Sequence, residues 1–342
     1  VKSRPDLNSL KDEELLKMRV CDLGVRIEGS WLEERVRLLH HELAQKGLIL
    51  QPQIYLGDEW FSPEGMVAIA IPFYLAHPRL MALEKKMMFD VEGGNEGWCQ
   101  KLLRHEAGHC FDHAYGFSKT RKWRKLFGSP DQEYAPEMYR PKPYSRSFVK
   151  HLENWYAQAH PDEDFAETFA VWLAPQSNWR MEYSKWPVAL EKLSYVDEQA
   201  RLSANKPFIL PGKNLPFSAA RMKTTLEHYY ARRKREHADE YPDFYDGDLR
   251  KIFNGGPELP RRETGAAGFM RRNHKLIVES VSRWTGERKY PVQKLVKKLE
   301  DRCEKLDLRL GADAAHTNLN VAAYLATLVT NYLHTGKFKR TV

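Results

Sequence analysis

Cysteine is scarce in this sequence, with four among 342 residues: Cys21, Cys99, Cys110 and Cys303. None is spaced as C-x-x-C, so no paired-thiol module can be argued. The choice lies between a metal or thiol site and reduced, buried cysteines, and the second is expected. No apolar run reaches the roughly 18 residues of a membrane span, so no transmembrane helix and no membrane partner are expected. Val1 to Leu10 is polar and lacks the apolar core of a secretory signal. With Val1 following a removed Met, a cytoplasmic protein is expected. No internal repeat is visible, and no helix-turn-helix, zinc-finger or RNA-binding signature occurs.

What is present suits a packed protein. Apolar residues make up 42%, aromatics 12% and charged residues 29%, enough for one large domain or two ordinary ones. The charge is uneven. Residues 1–200 carry 26 Lys and Arg against 30 Asp and Glu, net −4, whereas residues 201–342 carry 28 against 16, net +12. A basic part after a near-neutral part predicts two units with different tasks.

Periodicity predicts a capped short helix over 8–20 and a second helix over 30–45. Strands are expected at 51–56 and 66–74, with Pro72 marking a sheet edge or strand end. Such an edge could pair with an extended peptide or be an ordinary edge. A helix is expected over 78–88, and Gly93-Gly94 breaks the chain after it. Residues 128–147 hold four prolines and three tyrosines and read as a long ordered loop or flap. The stretch 201–216, with Pro207, Pro211, Gly212 and Pro216, reads as a linker. Helical patterns follow near 219–237, 265–284, 291–306 and 317–334.

The chemistry centres on His105-Glu106-Ala107-Gly108-His109, an H-E-x-x-H motif. On a helix, residues i and i+4 share a face, about 6 Å apart along the axis. Two imidazoles so placed can converge on one Zn²⁺. Glu106 lies about 100° round the helix, beside the place of an activated water, where it can act as general base. Leu103, Ala107, Cys110, Phe111 and Ala114 make an apolar stripe on the opposite side. The helix is therefore expected to bury one face and present the other to a cleft, stopping at Gly116.

The third ligand decides the class. A metzincin would continue with Gly and His where this chain has Asp112 and Tyr115. The remaining logic is that of gluzincins, in which a Glu from a later helix closes the site. The helix from Pro161 to Leu173 offers Glu163 and Glu167, one turn apart and opposite the stripe of Phe165, Phe169 and Trp172. One carboxylate would bind zinc while the other accepts the free N–H of a ligand histidine. Asp164, His151 and His160 are other donors nearby. Ala166 and Ala170 are small enough to let a neighbouring helix approach.

HEAGHCFDHAYG together with YAQAHPDEDFAETF resembles the catalytic domain of the anthrax lethal factor-like metalloproteases. That family has an H-E-x-G-H helix, then a tyrosine, then an E-x-F-A-E-x-F helix. The resemblance spans about residues 105–169 and implies Glu163 as zinc ligand, Tyr156 over the metal and Glu167 as the second Glu. His113 stands where that family has Asp. More broadly the chain looks like a bacterial family of zinc-binding metallopeptidases. The implied activity is hydrolysis of a peptide or protein substrate by zinc-activated water, with Glu106 as general base and Tyr156 stabilising the oxyanion.

Lys and Arg cluster at 232–235, 261–262, 271–272 and 294–298. Tyr229, Tyr230, Phe253, Phe269 and Trp284 are interleaved. The pattern fits a nucleic-acid surface, a docking site for an acidic protein, or solvated faces of a helical bundle. The expected fold is α+β: a zincin-like metallopeptidase domain over 1–200, mostly helical with a small sheet, then the linker and a basic α-helical domain over 217–342. The rival to a zinc endopeptidase is a regulatory or nucleic-acid-binding protein with a non-catalytic zinc site. Retention of Glu106 counts against that rival, and the net +12 counts for it.

Overall fold

The computed structural model describes residues 5–88, 90–134, 142, 145–152, 155–208, 214–236, 245–253, 265–310 and 314–335. Residues 135–141 and 143–144 of the expected loop at 128–147 and the pair Arg261-Arg262 lie outside the described residues. The chain divides into two compact units. No described helix is long and apolar enough to cross a membrane.

The first unit comprises Val1–Lys85 and Val91–Tyr229. It holds α1 (Asp12–Lys17), α2 (Trp31–Gln45), β1 (Gln53–Gly57), β2 (Ala68–Pro72), α3 (Pro78–Met88) up to Lys85, α4 (Glu96–Tyr115), α5 (Arg121–Phe127), α6 (Pro161–Leu173), α7 (Trp179–Glu182) and α8 (Pro187–Ser203). Its last segment enters α9 (Leu226–Glu236). The architecture is mostly helical with one two-stranded parallel sheet, in the register Gln53↔Ala68 to Gly57↔Pro72.

Pro72 is the last residue of β2, the strand end that was one of its two expected places, and the β2 edge is not an open ladder. All five residues of β2 are buried, and the chain between the strands folds back so that Phe61 bridges Ala70 antiparallel, with Ala70 N–H donating to Phe61 O at 2.9 Å. An extended peptide cannot take that position without displacing the bridge.

α4 is the central element. Asn95 caps its start, its Oδ1 accepting from Trp98 N–H at 2.9 Å. Gly116 ends it in the left-handed region at φ 68°. One buried face was expected; instead Cys99, Gln100, Leu102, Leu103 and every residue from His105 to Gly108 are buried, with Cys110 and Phe111. The reason is that α4 is covered from several sides. α2 pairs with it through Glu42, which accepts from Arg104 Nε and Nη2 at 2.8 and 2.6 Å. β2 meets it where Cys110 Sγ donates to Ala68 O. His113 Nδ1–H donates to Met66 O at 3.0 Å, so this histidine ties α4 to the segment before β2.

α6 crosses α4 at a point where neither helix has a side chain of any size. A Cβ on Gly108 would lie 2.7 Å from Ala166 Cα and 2.9 Å from Ala166 O. Beside the crossing, an aromatic cluster fills the space. Phe111 lies 5.0 Å from Phe169 and 6.4 Å from Phe165, and Trp123 and Phe127 of α5 lie 6.0 and 5.3 Å from Phe165. α8, which the sequence reading did not anticipate, covers the far side. There Asp197 accepts from Trp172 Nε1–H at 3.0 Å, and Lys192 pairs with Asp164 at 2.5 Å. Asp164 is thus a buried ion-pair partner and not an exposed charge at the α6 N-terminus.

The first unit continues past the expected linker. Val20 N–H donates to Thr224 O, Arg19 bridges Thr225, and Tyr229 Oη donates to Asp58 O at 2.8 Å. The second unit, Lys86–Asp90 and Tyr230–Val342, contains α10 (Asp246–Ile252), α11 (Ala266–Thr285), α12 (Lys289–Lys305) and α13 (Ala314–Thr335). Its core includes Phe253, Met270, Ile277, Val296, Leu299 and Leu325. Arg271, Arg272, Lys275, Arg283, Lys294 and Lys297 stand on the solvated sides of α11 and α12. Of the interleaved aromatics only Trp284 is exposed, at 83%; Tyr229, Tyr230, Phe253 and Phe269 are buried and cannot stack on bases.

The crossing yields a test. Gly108→Ala gains up to about 1 kcal/mol of helix propensity but drives a methyl into backbone, at about 1–3 kcal/mol or more. The melting temperature is expected to fall by several degrees. A thermal scan showing an unchanged or raised value would mean the helices do not press together there.

Candidate metal centre

The crossing sets the site. On α4, His105 and His109 stand three residues before and one after Gly108. On α6, Glu163 and Glu167 stand three before and one after Ala166. The same spacing on both helices brings the four side chains to one place. His105, Glu163 and Glu167 are buried, and His109 is 17% exposed at its side chain.

His105 is held at both ring nitrogens. Its Nδ1–H donates to Glu167 Oε1 at 2.8 Å, and Glu167 Oε2 accepts Leu152 N–H at 2.8 Å. In the neutral ring, the form that binds a metal, that bond fixes the tautomer and leaves the lone pair on Nε2. His105 Nε2 lies 2.9 Å from Glu163 Oε2 and 3.2 Å from His109 Nε2, and His109 Nε2 lies 3.4 Å from Glu163 Oε2. Glu163 Oε2 is buried and has no aligned hydrogen bond. Tetrahedral zinc with bonds of about 2.0–2.2 Å sets its donors about 3.3–3.6 Å apart. The residues present therefore fit a zinc ion: two imidazole nitrogens and one carboxylate oxygen, aimed at a common point.

The charges point the same way. Burial alone would keep His105 neutral, but Glu163 and Glu167 outweigh it and hold the imidazole well above its ordinary range. Burial also opposes ionisation of Glu163, yet His109 and His105 overcome it and hold the carboxylate well below its usual range. The cluster is built for positive charge at its centre. Glu106 is different. Burial pushes its carboxyl up, offset in part by the two histidines. Its Oε2 is buried without a hydrogen-bond partner.

Tyr156 lies over the cluster, its ring centroid 5.7 Å from that of His105. Trp155 before it adopts a left-handed conformation at φ 51°. The other donors considered are engaged elsewhere. Asp164 pairs with Lys192, and burial pushes it up to about 7 despite that partner. His151 Nε2–H donates to Lys101 O at 2.9 Å. His160 caps α6, its Nδ1 accepting from Asp162 N–H at 3.2 Å.

One residue the sequence reading missed joins the site. The Tyr134 hydroxyl is 2.9 Å from that of Tyr156, and its electrostatic neighbours include Glu163 and Glu106. No spacing rule links position 134 to the motifs, so the only available signal was its place in a tyrosine-rich loop between them.

Residues 101–199 match the model of a family described as "Putative zinc-binding metallo-peptidase". The matched span runs from α4 to α8 and contains all the residues described above. No curated protein and no solved structure matches the chain.

Proposed function

We propose that the protein is a zinc-dependent endopeptidase of the gluzincin type on a zincin-like first unit, with Glu163 as third ligand. One observation carries the catalytic reading: Glu106 Oε2 is buried, unpaired and beside the donor trio. A buried carboxylate oxygen left without a partner costs stability and is tolerated where it is used. The family match and the His-His-Glu cluster support zinc peptidase chemistry.

His105, His109 and Glu163 hold the metal, and Glu167 orients His105. Zinc, when bound, supplies Lewis acidity that polarises a scissile carbonyl and acidifies a water. Glu106 takes the proton of the attacking water on its carboxylate and delivers it to the leaving amine. The Tyr156 hydroxyl donates to the carbonyl oxygen as negative charge grows there. Burial and the charge of Glu163 push the Tyr156 pKa well up, so the phenol keeps its proton for that task. The substrate is a peptide or protein.

Three outcomes are expected. Glu106→Gln should retain zinc and fold but lose at least about 10²-fold in hydrolytic rate; equal cleavage of casein by both proteins would remove the general-base role. Glu163→Ala should abolish stable zinc binding, whereas Glu167→Ala should weaken it by about 10–100-fold. Chelator competition distinguishes the two, and equal losses would undo the division of labour. The third concerns pH. Glu106 must be ionised to accept a proton and its pKa is raised by burial, so activity is present above that pKa and lost as pH falls through it. With bound zinc assayed in parallel, kcat/KM should show an acid limb above the ordinary glutamate value of about 4.3. A limb at or below that value contradicts the assignment.

A further inference from the structure

We propose that Tyr134 is a positioning residue that holds the Tyr156 hydroxyl in place, ready to turn to the reacting carbonyl oxygen, an inference that rests on the hydrolytic reading above. Tyr134 belongs to neither motif and comes from the segment between α5 and α6. Its hydroxyl is 2.9 Å from the Tyr156 hydroxyl. As a residue it is half exposed, but its oxygen lies on the metal-centre side.

Its placement traces back to the start of α6. His160 Nδ1 accepts from Asp162 N–H, so the ring proton is on Nε2, and that N–H donates to Gln132 O at 3.1 Å. The Tyr134 ring packs edge-on against the same imidazole, at 5.5 Å and 74°. One buried histidine therefore fixes the α6 N-terminus, the backbone two residues before Tyr134 and the Tyr134 ring. Glu163, three residues into α6, is held by the same helix. The two phenols and the carboxylate are thereby referenced to one rigid element.

The direction of the protons follows from the groups. The Glu163 carboxylate can only accept. With Glu163 among the groups facing the Tyr134 hydroxyl, Tyr134 donates toward that carboxylate, and across the 2.9 Å contact its oxygen accepts from the Tyr156 hydroxyl. A lone phenol hydroxyl turns about its C–O bond, whereas this one is held in one orientation before substrate arrives. As charge develops on the carbonyl oxygen, the Tyr156 proton swings from the Tyr134 oxygen to it while the ring stays put. Tyr134 touches no reacting atom in this scheme and acts through Tyr156.

The test uses the full chain and the variants Tyr134→Phe, Tyr156→Phe and both together. Tyr134→Phe keeps the ring against His160 and removes only the hydroxyl. A quenched fluorogenic peptide is built on a casein bond that the zinc-loaded wild type cuts. Tyr134→Phe should lower kcat on the order of tenfold with KM little changed, and should cause no further loss in the Tyr156→Phe background. Unchanged kcat, a loss confined to KM, or a full additional loss in the double variant would overturn the proposal. A second readout does not depend on turnover. In protein labelled with ¹³Cζ-tyrosine, the Tyr156 resonance should shift in Tyr134→Phe, and an unmoved resonance overturns the proposal. If the wild type cuts no casein, or Glu106→Gln cuts it equally well, the hydrolytic reading fails and the resonance alone decides whether Tyr134 holds Tyr156.

Discussion

The site depends on how closely α4 and α6 approach one another. Gly108 offers no Cβ and Ala166 only a methyl, so backbone meets backbone at the crossing. His105 and His109 flank the first residue at −3 and +1, and Glu163 and Glu167 flank the second in the same way. Any side chain inserted between the helices would push the two pairs apart together. The donor separations of 2.9–3.4 Å are in this sense set by what the crossing lacks.

Holding that distance has an electrostatic cost. Glu106, Glu163, Asp164 and Glu167 are all buried within the two helices, and the chain treats each differently. Lys192 from α8 neutralises Asp164. Glu167 is spread over Leu152 N–H and His105. Glu163 faces the two imidazoles. Burial raises the Glu106 carboxyl, those same imidazoles offset it only in part, and Glu163 and Glu92 add a little, whereas at Glu163 the imidazoles outweigh burial. Two glutamates on adjoining helices are driven in opposite directions by their surroundings, the difference that the proposed acid–base and ligand roles require.

Much of this was legible in the sequence, for reasons of local geometry. The i, i+4 histidines and the i, i+4 glutamates each declare a face, and a helix start at Pro161 and a stop at Gly116 are written in residue types with known backbone preferences. The small residues Ala166 and Ala170 announced a close neighbour. The rest depends on tertiary contacts that no period encodes. α4 shows one apolar stripe because the residues on its other sides are polar. They are buried or half-buried all the same: Glu42 takes Arg104 and Glu167 takes His105, while Glu106 Oε2 is left without a partner. Nothing in residues 219–229 says that they return to Val20 and Asp58. Tyr134 meets Tyr156 from a ring packed on His160, whose role as cap and ring platform depends on a tautomer.

The same accounting explains why a metal belongs to the fold as much as to the chemistry. Phe111, Phe165, Phe169, Trp123 and Phe127 drive α4 and α6 together through apolar burial. That packing forces the carboxylates into each other's field in a place from which water is largely excluded. A cation among His105, His109 and Glu163 turns this repulsion into attraction, so its binding energy adds to the packing of the two helices. The aromatic cluster brings the donors together, the Gly108–Ala166 contact sets their spacing, and the cation relieves the strain that both create.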